Sequence, residues 1–159
     1  MAKDKVCVVI GAGDATGGAI ARRFAREGYA TVVTRRHADK LEPLVARIKA
    51  EGGKVHPFGS DARDEEQVAA LFRQIETEIG EVEVFVFNIG GNVRFDIRDT
   101  TARVYRKVWE MTAFAGFLTA REAAKVMVPR GRGTVLIIGA TASCAAAAPS
   151  RPSPAASMR

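Results

Sequence analysis

Val6-Cys7-Val8-Val9-Ile10-Gly11-Ala12-Gly13-Asp14-Ala15-Thr16-Gly17-Gly18 is the stretch on which the fold turns. Its first five residues form an uninterrupted apolar run, rich in β-branched side chains and stopped at once by glycine. Such a run suits a strand buried on both faces of a parallel sheet. The small residues that follow let backbone N–H groups approach a pyrophosphate at the start of a helix. Ala19 to Glu27 supplies that helix, with Ile20, Ala21, Phe24 and Ala25 at helical spacing and Gly28 as its stop. A second strand, Ala30 to Thr34, comes next. Strand, glycine loop, amphipathic helix and strand together distinguish a dinucleotide loop from a merely tight turn. The candidate contacts are Gly11, Gly13, Asp14, Ala15, Thr16 and Gly17.

The end of the second strand reads Thr34-Arg35-Arg36-His37. Many NAD-binding sheets place a carboxylate here for the ribose hydroxyls, and a carboxylate would repel a 2′-phosphate. Guanidinium groups would instead pair with that phosphate through charge-assisted hydrogen bonds. Arg35 and Arg36 therefore favour NADP over NAD.

Outward from this unit the alternation continues. Ala38 to Glu51 is predicted helical, with Leu41, Leu44, Val45 and Ile48 on one face before Gly52-Gly53. Val55 to Phe58 is a weaker third strand interrupted by Pro57, and Asp64-Glu65-Glu66 opens a helix whose buried stripe is Val68, Leu71, Phe72, Ile75 and Ile79. Val82 to Phe87 is a fourth strand, Thr100 to Val128 a long helix ending before Pro129, and Gly133 to Gly139 a fifth strand. Because crossovers between parallel strands are right-handed, this order predicts an α/β, doubly wound parallel sheet with helices on both faces.

Composition narrows the alternatives. The 159 residues are 47% hydrophobic and 7% aromatic, which predicts one domain with an aliphatic core. The net charge of +6 comes from dispersed arginines without interleaved aromatics, so a nucleic-acid partner is not expected. No apolar run nears the roughly 20 residues of a membrane span, and Met1-Ala2-Lys3-Asp4-Lys5 leads straight into a strand, so no membrane association and a cytoplasmic location are expected. Cys7 and Cys144 make no disulfide framework, and His37 and His56 have no partner cluster, so no metal site is expected.

Residues from about Lys5 to Ser143 resemble the short-chain dehydrogenase/reductase family. The family's Thr-Gly-x-x-x-Gly-x-Gly loop corresponds to Ile10 to Gly17, with the first and third glycines kept and Ala15 in the middle position. Phe87-Asn88-Ile89-Gly90-Gly91 looks like its Asn-Asn-Ala-Gly after strand four, matched best by Asn88 and Gly90. Asp61 falls where the family places an aspartate beside the adenine ring, followed here by Ala62. The resemblance implies a Rossmann-like fold, NADP as cofactor, a small-molecule carbonyl or alcohol as substrate, and oligomers formed through the helix at 100–128.

The family's catalytic Asn, Ser, Tyr and Lys are all replaced. The resemblance puts Thr112 at the Asn position and Ala140 at the Ser position, with Ser143 three residues on. Ser153 and Ser157 stand where Tyr and Lys belong, and neither can serve as a proton donor with a basic neighbour. No residue is therefore assigned a catalytic role. The two functional expectations are an NADP(H)-dependent oxidoreductase and a truncated or non-catalytic dinucleotide-binding protein.

Residues 144–159 are rich in Ala, Pro, Ser and Arg, and an unordered tail beyond a domain at 1–143 is expected, leaving the fold incomplete on its C-terminal side. A one-nucleotide deletion just before Cys144 would account for this composition. The restored frame allows a lysine at the position of Ser157 and forbids a tyrosine at that of Ser153. An incomplete fold should also expose apolar surface along strand five.

Overall fold

The computed structural model describes residues 3–91 and 96–139. The strands are β1 (Asp4–Ile10), β2 (Ala30–Arg35), β3 (Lys54–Gly59), β4 (Gly80–Phe87) and β5 (Thr134–Ile137). They form one parallel sheet in the order β3-β2-β1-β4-β5. The intervening helices are α1 (Thr16–Arg26), α2 (Glu42–Ala50), α3 (Glu65–Gln74), α4 (Ala102–Trp109) and α5 (Ala115–Met127).

Strand alternation divides the core in two. Val6, Val8 and Ile10 of β1 face Val68, Leu71 and Phe72 of α3 and Ala115, Ala123 and Met127 of α5. Cys7 and Val9 face the other way, toward Ala21 and Ala25 of α1 and Leu44 and Ile48 of α2. Sequestering each of the valine, leucine, isoleucine, phenylalanine and methionine side chains contributes about 1.5–3 kcal/mol, which is what holds both helical layers on the sheet. In β4 the alternation slips. Val6 pairs with Val82 but Cys7 with Val84, so Glu83 is an extra residue in the ladder. That insertion lets Val82, Phe85 and Phe87 share one face while Val84 and Val86 share the other.

Several boundaries differ from the sequence expectation. β3 runs through Pro57 because it lies at the sheet edge with β2 as its partner, where a missing N–H need not break a ladder bond. The region from Ala38 starts as a 3₁₀ turn, Ala38–Leu41, before α2. The long predicted helix is four pieces: α4, a π-helical turn at Glu110–Phe114, α5, and a 3₁₀ turn at Val128–Arg130 that carries Pro129 within it. β5 is shorter than expected, and the apolar surface anticipated along it is present: Val135, Leu136 and Ile137 are all exposed. The expected tail at 144–159 lies outside the described residues.

β1 is the strand at which the order reverses, β2 and β3 lying to one side and β4 and β5 to the other. The carboxyl ends of β1 and β4 therefore flank a crevice, the place where open α/β sheets bind ligands. Ile10 and Phe87 are the last residues of these strands and are paired with each other.

Candidate dinucleotide-binding site

The loop after β1 is pinned on both sides. The N–H groups of Gly11 and Ala12 both donate to the carbonyl of Thr34, at 3.2 and 3.0 Å. Asn88 donates its own N–H to the Ile10 carbonyl at 2.9 Å and its side-chain Nδ2 to the Gly11 carbonyl at 3.0 Å. Gly11 has φ of +84°, a left-handed conformation that favours glycine. At Gly17 the constraint is space: a Cβ would stand 2.7 Å from the Gly11 carbonyl oxygen and 2.8 Å from Asn88 Nδ2. The loop thereby passes directly against the first turn of α1.

The N-termini of the helices differ. α3 is capped by Asp64, which accepts from the N–H groups of Glu66 and Gln67, and α4 by Thr101. α1 has Ala15 at its N-cap position, with no side-chain cap and no acidic residue in its first turn. Its N–H groups are therefore left without side-chain acceptors at the positive end of the helix dipole. Gly11, Gly13, Asp14, Ala15, Thr16 and Gly17 line an open cavity of about 370 Å³ here, together with Arg35, Asn88 and Gly90.

A second cavity of about 180 Å³ adjoins it, sharing Gly11 and Arg35. Ile10, Ala62, Ile89 and Met111 give it apolar walls, while Arg36, Ser60, Asp61 and Arg63 lie along its polar parts. The Arg35 guanidinium is held at the junction. It stands 3.7 Å from where a Cβ on Gly13 would be, and Nη1 donates to the Lys40 carbonyl at 3.3 Å. All twelve site residues named from the sequence, Arg36, Asp61 and Ala62 among them, thus border one of the two cavities.

Asp61 is held by its near neighbour. Arg63 donates its backbone N–H and Nε to Oδ1, at 3.0 and 2.9 Å, and Nη2 to Oδ2 at 2.6 Å. These bonds bring the carboxyl down to a pKa of about 2. Ser60 Oγ is buried without a hydrogen-bond partner among the described residues, although the Ser60 N–H donates to the Arg35 carbonyl. A wider hollow between α3 and the π-helical turn is bordered by Asp61, Asp64, Glu65, Glu66 and Glu110 and by only two arginines, Arg63 and Arg73. Its charge disfavours an anionic ligand.

Ser60, Arg63, Ile89 and Met111 were not read as site residues. Ser60 precedes Asp61, Ile89 follows Asn88 and Arg63 follows Ala62, so nearness in sequence was the available signal. Met111 comes from the π-helical turn, which no hydrophobic period announces. Thr112, in the same turn, donates its hydroxyl to the Val108 carbonyl at 2.8 Å. Ala140, Ser143, Ser153 and Ser157 lie outside the described residues. Among the described residues no three His, Cys, Asp or Glu side chains cluster as metal ligands, and no helix is long and apolar enough to cross a membrane.

A five-stranded parallel sheet in this order, with a glycine loop at its switch point, defines a Rossmann-type α/β protein. The family model described as "short chain dehydrogenase" matches residues 5–157, and the chain belongs to that family of oxidoreductases. It is similar to a short-chain dehydrogenase from Rhodopseudomonas palustris, with a TM-score of 0.82 and 46% identity over 87% of this chain and 65% of that one. A metagenomic short-chain oxidoreductase in complex with NADP has a TM-score of 0.81 at 26% identity, over 87% of this chain and 63% of that one. The 2,3-dihydro-2,3-dihydroxybenzoate dehydrogenase of Bacillus subtilis is 27% identical over 87% of this chain and 53% of its own length. The chain spans about half the length of the curated relatives it matches.

Proposed function

We propose that this chain binds NADP(H) across the two cavities and is the cofactor-binding part of an oxidoreductase acting on a small-molecule carbonyl or alcohol. The observation that carries the cofactor assignment is the charge at the end of β2. Asp61 is matched by Arg63, while Arg35 and Arg36 form no ion pair among the described residues. Two cations beside the one carboxylate of the cavity, which Arg63 already holds, suit a phosphate monoester of charge near −2. The residues also fit the rest of the group. The uncapped first turn of α1 and the loop from Gly11 to Gly17 would hold the pyrophosphate, and the walls formed by Ile10, Ala62, Ile89 and Met111 would hold the base, beside Asp61. Asn88 and Gly90 border the loop cavity at the end of β4. When bound, the nicotinamide supplies or accepts a hydride.

Calorimetric titration with NADPH and, separately, NADH tests this reading. NADPH should bind about tenfold to a hundredfold more tightly, the effect expected of charged hydrogen bonds, and R35A/R36A should abolish the difference. Equal affinity for the two would remove the NADP assignment.

The second reading is a dinucleotide-binding protein without turnover. The Thr112 hydroxyl at the family's Asn position is committed to its own helix, which favours that reading. Oxidation of NADPH with any carbonyl substrate by this chain would decide against it. Association of copies through the outer face of α4 and α5, where Tyr105, Trp109 and Phe117 are exposed, is proposed with either reading. A cytoplasmic location is proposed as well; Cys7, the free thiol among the described residues, is buried, and burial pushes its pKa up to about 12.

A further inference from the structure

We propose that Glu76 and Arg130 are positioning residues that form a clasp at the start of β5, and that this clasp governs how often β5 opens as a unit of its own. The two lie far apart in sequence. Glu76 belongs to the π-helical turn Ile75–Ile79, and Arg130 ends the 3₁₀ turn that leads toward β5. They meet on Val82 of β4.

Val82 stands where the ladder runs out. On one side it pairs with Val6 of β1, but β5 does not reach it, because Thr134, the first residue of β5, pairs with Val84. The bulge at Glu83 follows at once. Val82 is buried, so its backbone N–H and C=O need partners there. The pair supplies both. Glu76 Oε1 accepts the Val82 N–H at 2.9 Å, and Arg130 Nη1 donates to the Val82 carbonyl at 3.3 Å. Arg130 Nη2 closes the ring by donating to Glu76 Oε2.

Beyond this ring little fastens β5. It has four residues, all exposed, and among the described residues β4 is the strand that pairs with it. Few buried side chains and a solvent-exposed backbone mark the parts of a protein that open at less than the cost of global unfolding. Arg132, on the same approach, pairs with Glu81 and Glu83, but its side chain is 57% exposed, and exposed pairs contribute little. The Glu76 and Arg130 side chains are only 16% and 24% exposed, and their hydrogen bonds are charge-assisted, the stronger kind.

The other end of β5 reaches the crevice. The Ile138 N–H donates to the Phe87 carbonyl at 2.9 Å, and the residue after Phe87, Asn88, holds the Gly11 carbonyl. Opening of β5 therefore uncovers the end of β4 beside the glycine loop. An ion pair at one end of the sheet thus sets the exposure of a backbone group at the other, whether or not a dinucleotide is bound.

Amide hydrogen exchange followed by NMR tests this on the unmodified chain, R130M, E76Q, R132A and D64A, with far-UV circular dichroism to confirm folding. In the unmodified chain the Ile138 amide should exchange about tenfold or more faster than the amides of β1. R130M should speed Ile138 by about tenfold to a hundredfold, and E76Q, which keeps an acceptor for the Val82 N–H, by less. R132A should change it by about threefold or less. D64A removes the cap of α3 and should speed β1 while leaving Ile138 unchanged, because α3 stays folded when β5 opens. A single rate for Ile138 and β1 in the unmodified chain, or an equal effect of D64A on both, overturns the proposal, since β5 would then open only with the whole sheet. An unchanged Ile138 in both R130M and E76Q overturns it too. So does an R132A effect as large as that of R130M, which would give the hold to the exposed pairs.

Discussion

Gly17 shows how one residue ties the loop, the helix and β4 together. Its position between the Gly11 carbonyl and Asn88 Nδ2 leaves no space for a methyl group. Gly17→Ala should push Asn88 off the loop, destabilise the fold by about 1–3 kcal/mol, and weaken NADPH binding beyond what that loss explains. Urea unfolding and calorimetry on the same variant measure the two effects. An unchanged affinity would mean that the loop does not need its close approach to Asn88. Asp61 yields a different prediction. Its pKa is about 2 in the folded state, below the ordinary carboxylate range because Arg63 donates to it. A depressed pKa contributes stability at pH values above the unfolded value near 4, and that stability disappears as pH falls through the folded one. The stability difference between the unmodified chain and R63A should therefore be constant above pH 5 and shrink from about pH 4 toward pH 2. A difference that stays flat across urea curves from about pH 6 to 2.5 would remove the pair's electrostatic role. Both residues are named from the sequence, and each borders one of the two cavities. Gly17 was legible from its motif spacing, but the partner of Asp61 was not, because an arginine two residues away looks the same whether it faces solvent or folds back.

At the scale of elements, what was legible is what a regular period or a cap announces. Asp64, read as the acidic start of a helix, is the N-cap of α3, accepting two N–H groups at 3.0 Å each. Asp64→Ala should cost about 1 kcal/mol, seen as a lowered urea midpoint with unchanged slope. No loss would show that the cap is exchanged for water at no net cost. The doubly wound parallel sheet followed from alternation and handedness, since the apolar runs were short and rich in β-branched residues, but its strand order was not read from the sequence. The departures share a cause: each is a local irregularity that leaves the hydrophobic period intact. The two π-helical turns, at Ile75–Ile79 and Glu110–Phe114, insert a wider turn into a stripe that still reads as helical. The bulge at Glu83 is hidden because Val-Glu-Val-Phe-Val-Phe fits a buried strand in either register. The second π-helical turn bears on the site, for it brings Met111 to the base cavity and Thr112 within 3.7 Å of where a Cβ on Gly91 would stand.

For the whole molecule, the two edges of the sheet differ, and the difference predicts how it behaves in solution. The β3 edge carries Lys54, His56 and Pro57, which blunt it against pairing with another strand. The β5 edge has nothing comparable: Val135, Leu136, Ile137 and Ile138 are 46%, 40%, 64% and 42% exposed, and β4 is the strand paired with it. Consecutive residues of a strand point to opposite faces, so both faces of this edge are apolar, and among the described residues only β4 pairs with its backbone. A second apolar surface lies on α4 and α5, where Tyr105, Trp109 and Phe117 are exposed, so association through either must be separated by substitution. Sedimentation velocity at tens of micromolar should show concentration-dependent association, in the range where exposed strand edges cause it. V135K/I137K adds charge to the edge without touching a helix and should end open-ended association while leaving the α4–α5 contact as a discrete dimer, whereas W109A/F117A should leave only association through the edge. A monomeric V135K/I137K would remove the helix contact, and an unchanged one would remove the edge contact. A monodisperse unmodified chain would show that the β5 edge is protected in solution, and its exposed side chains would then be of no consequence for association.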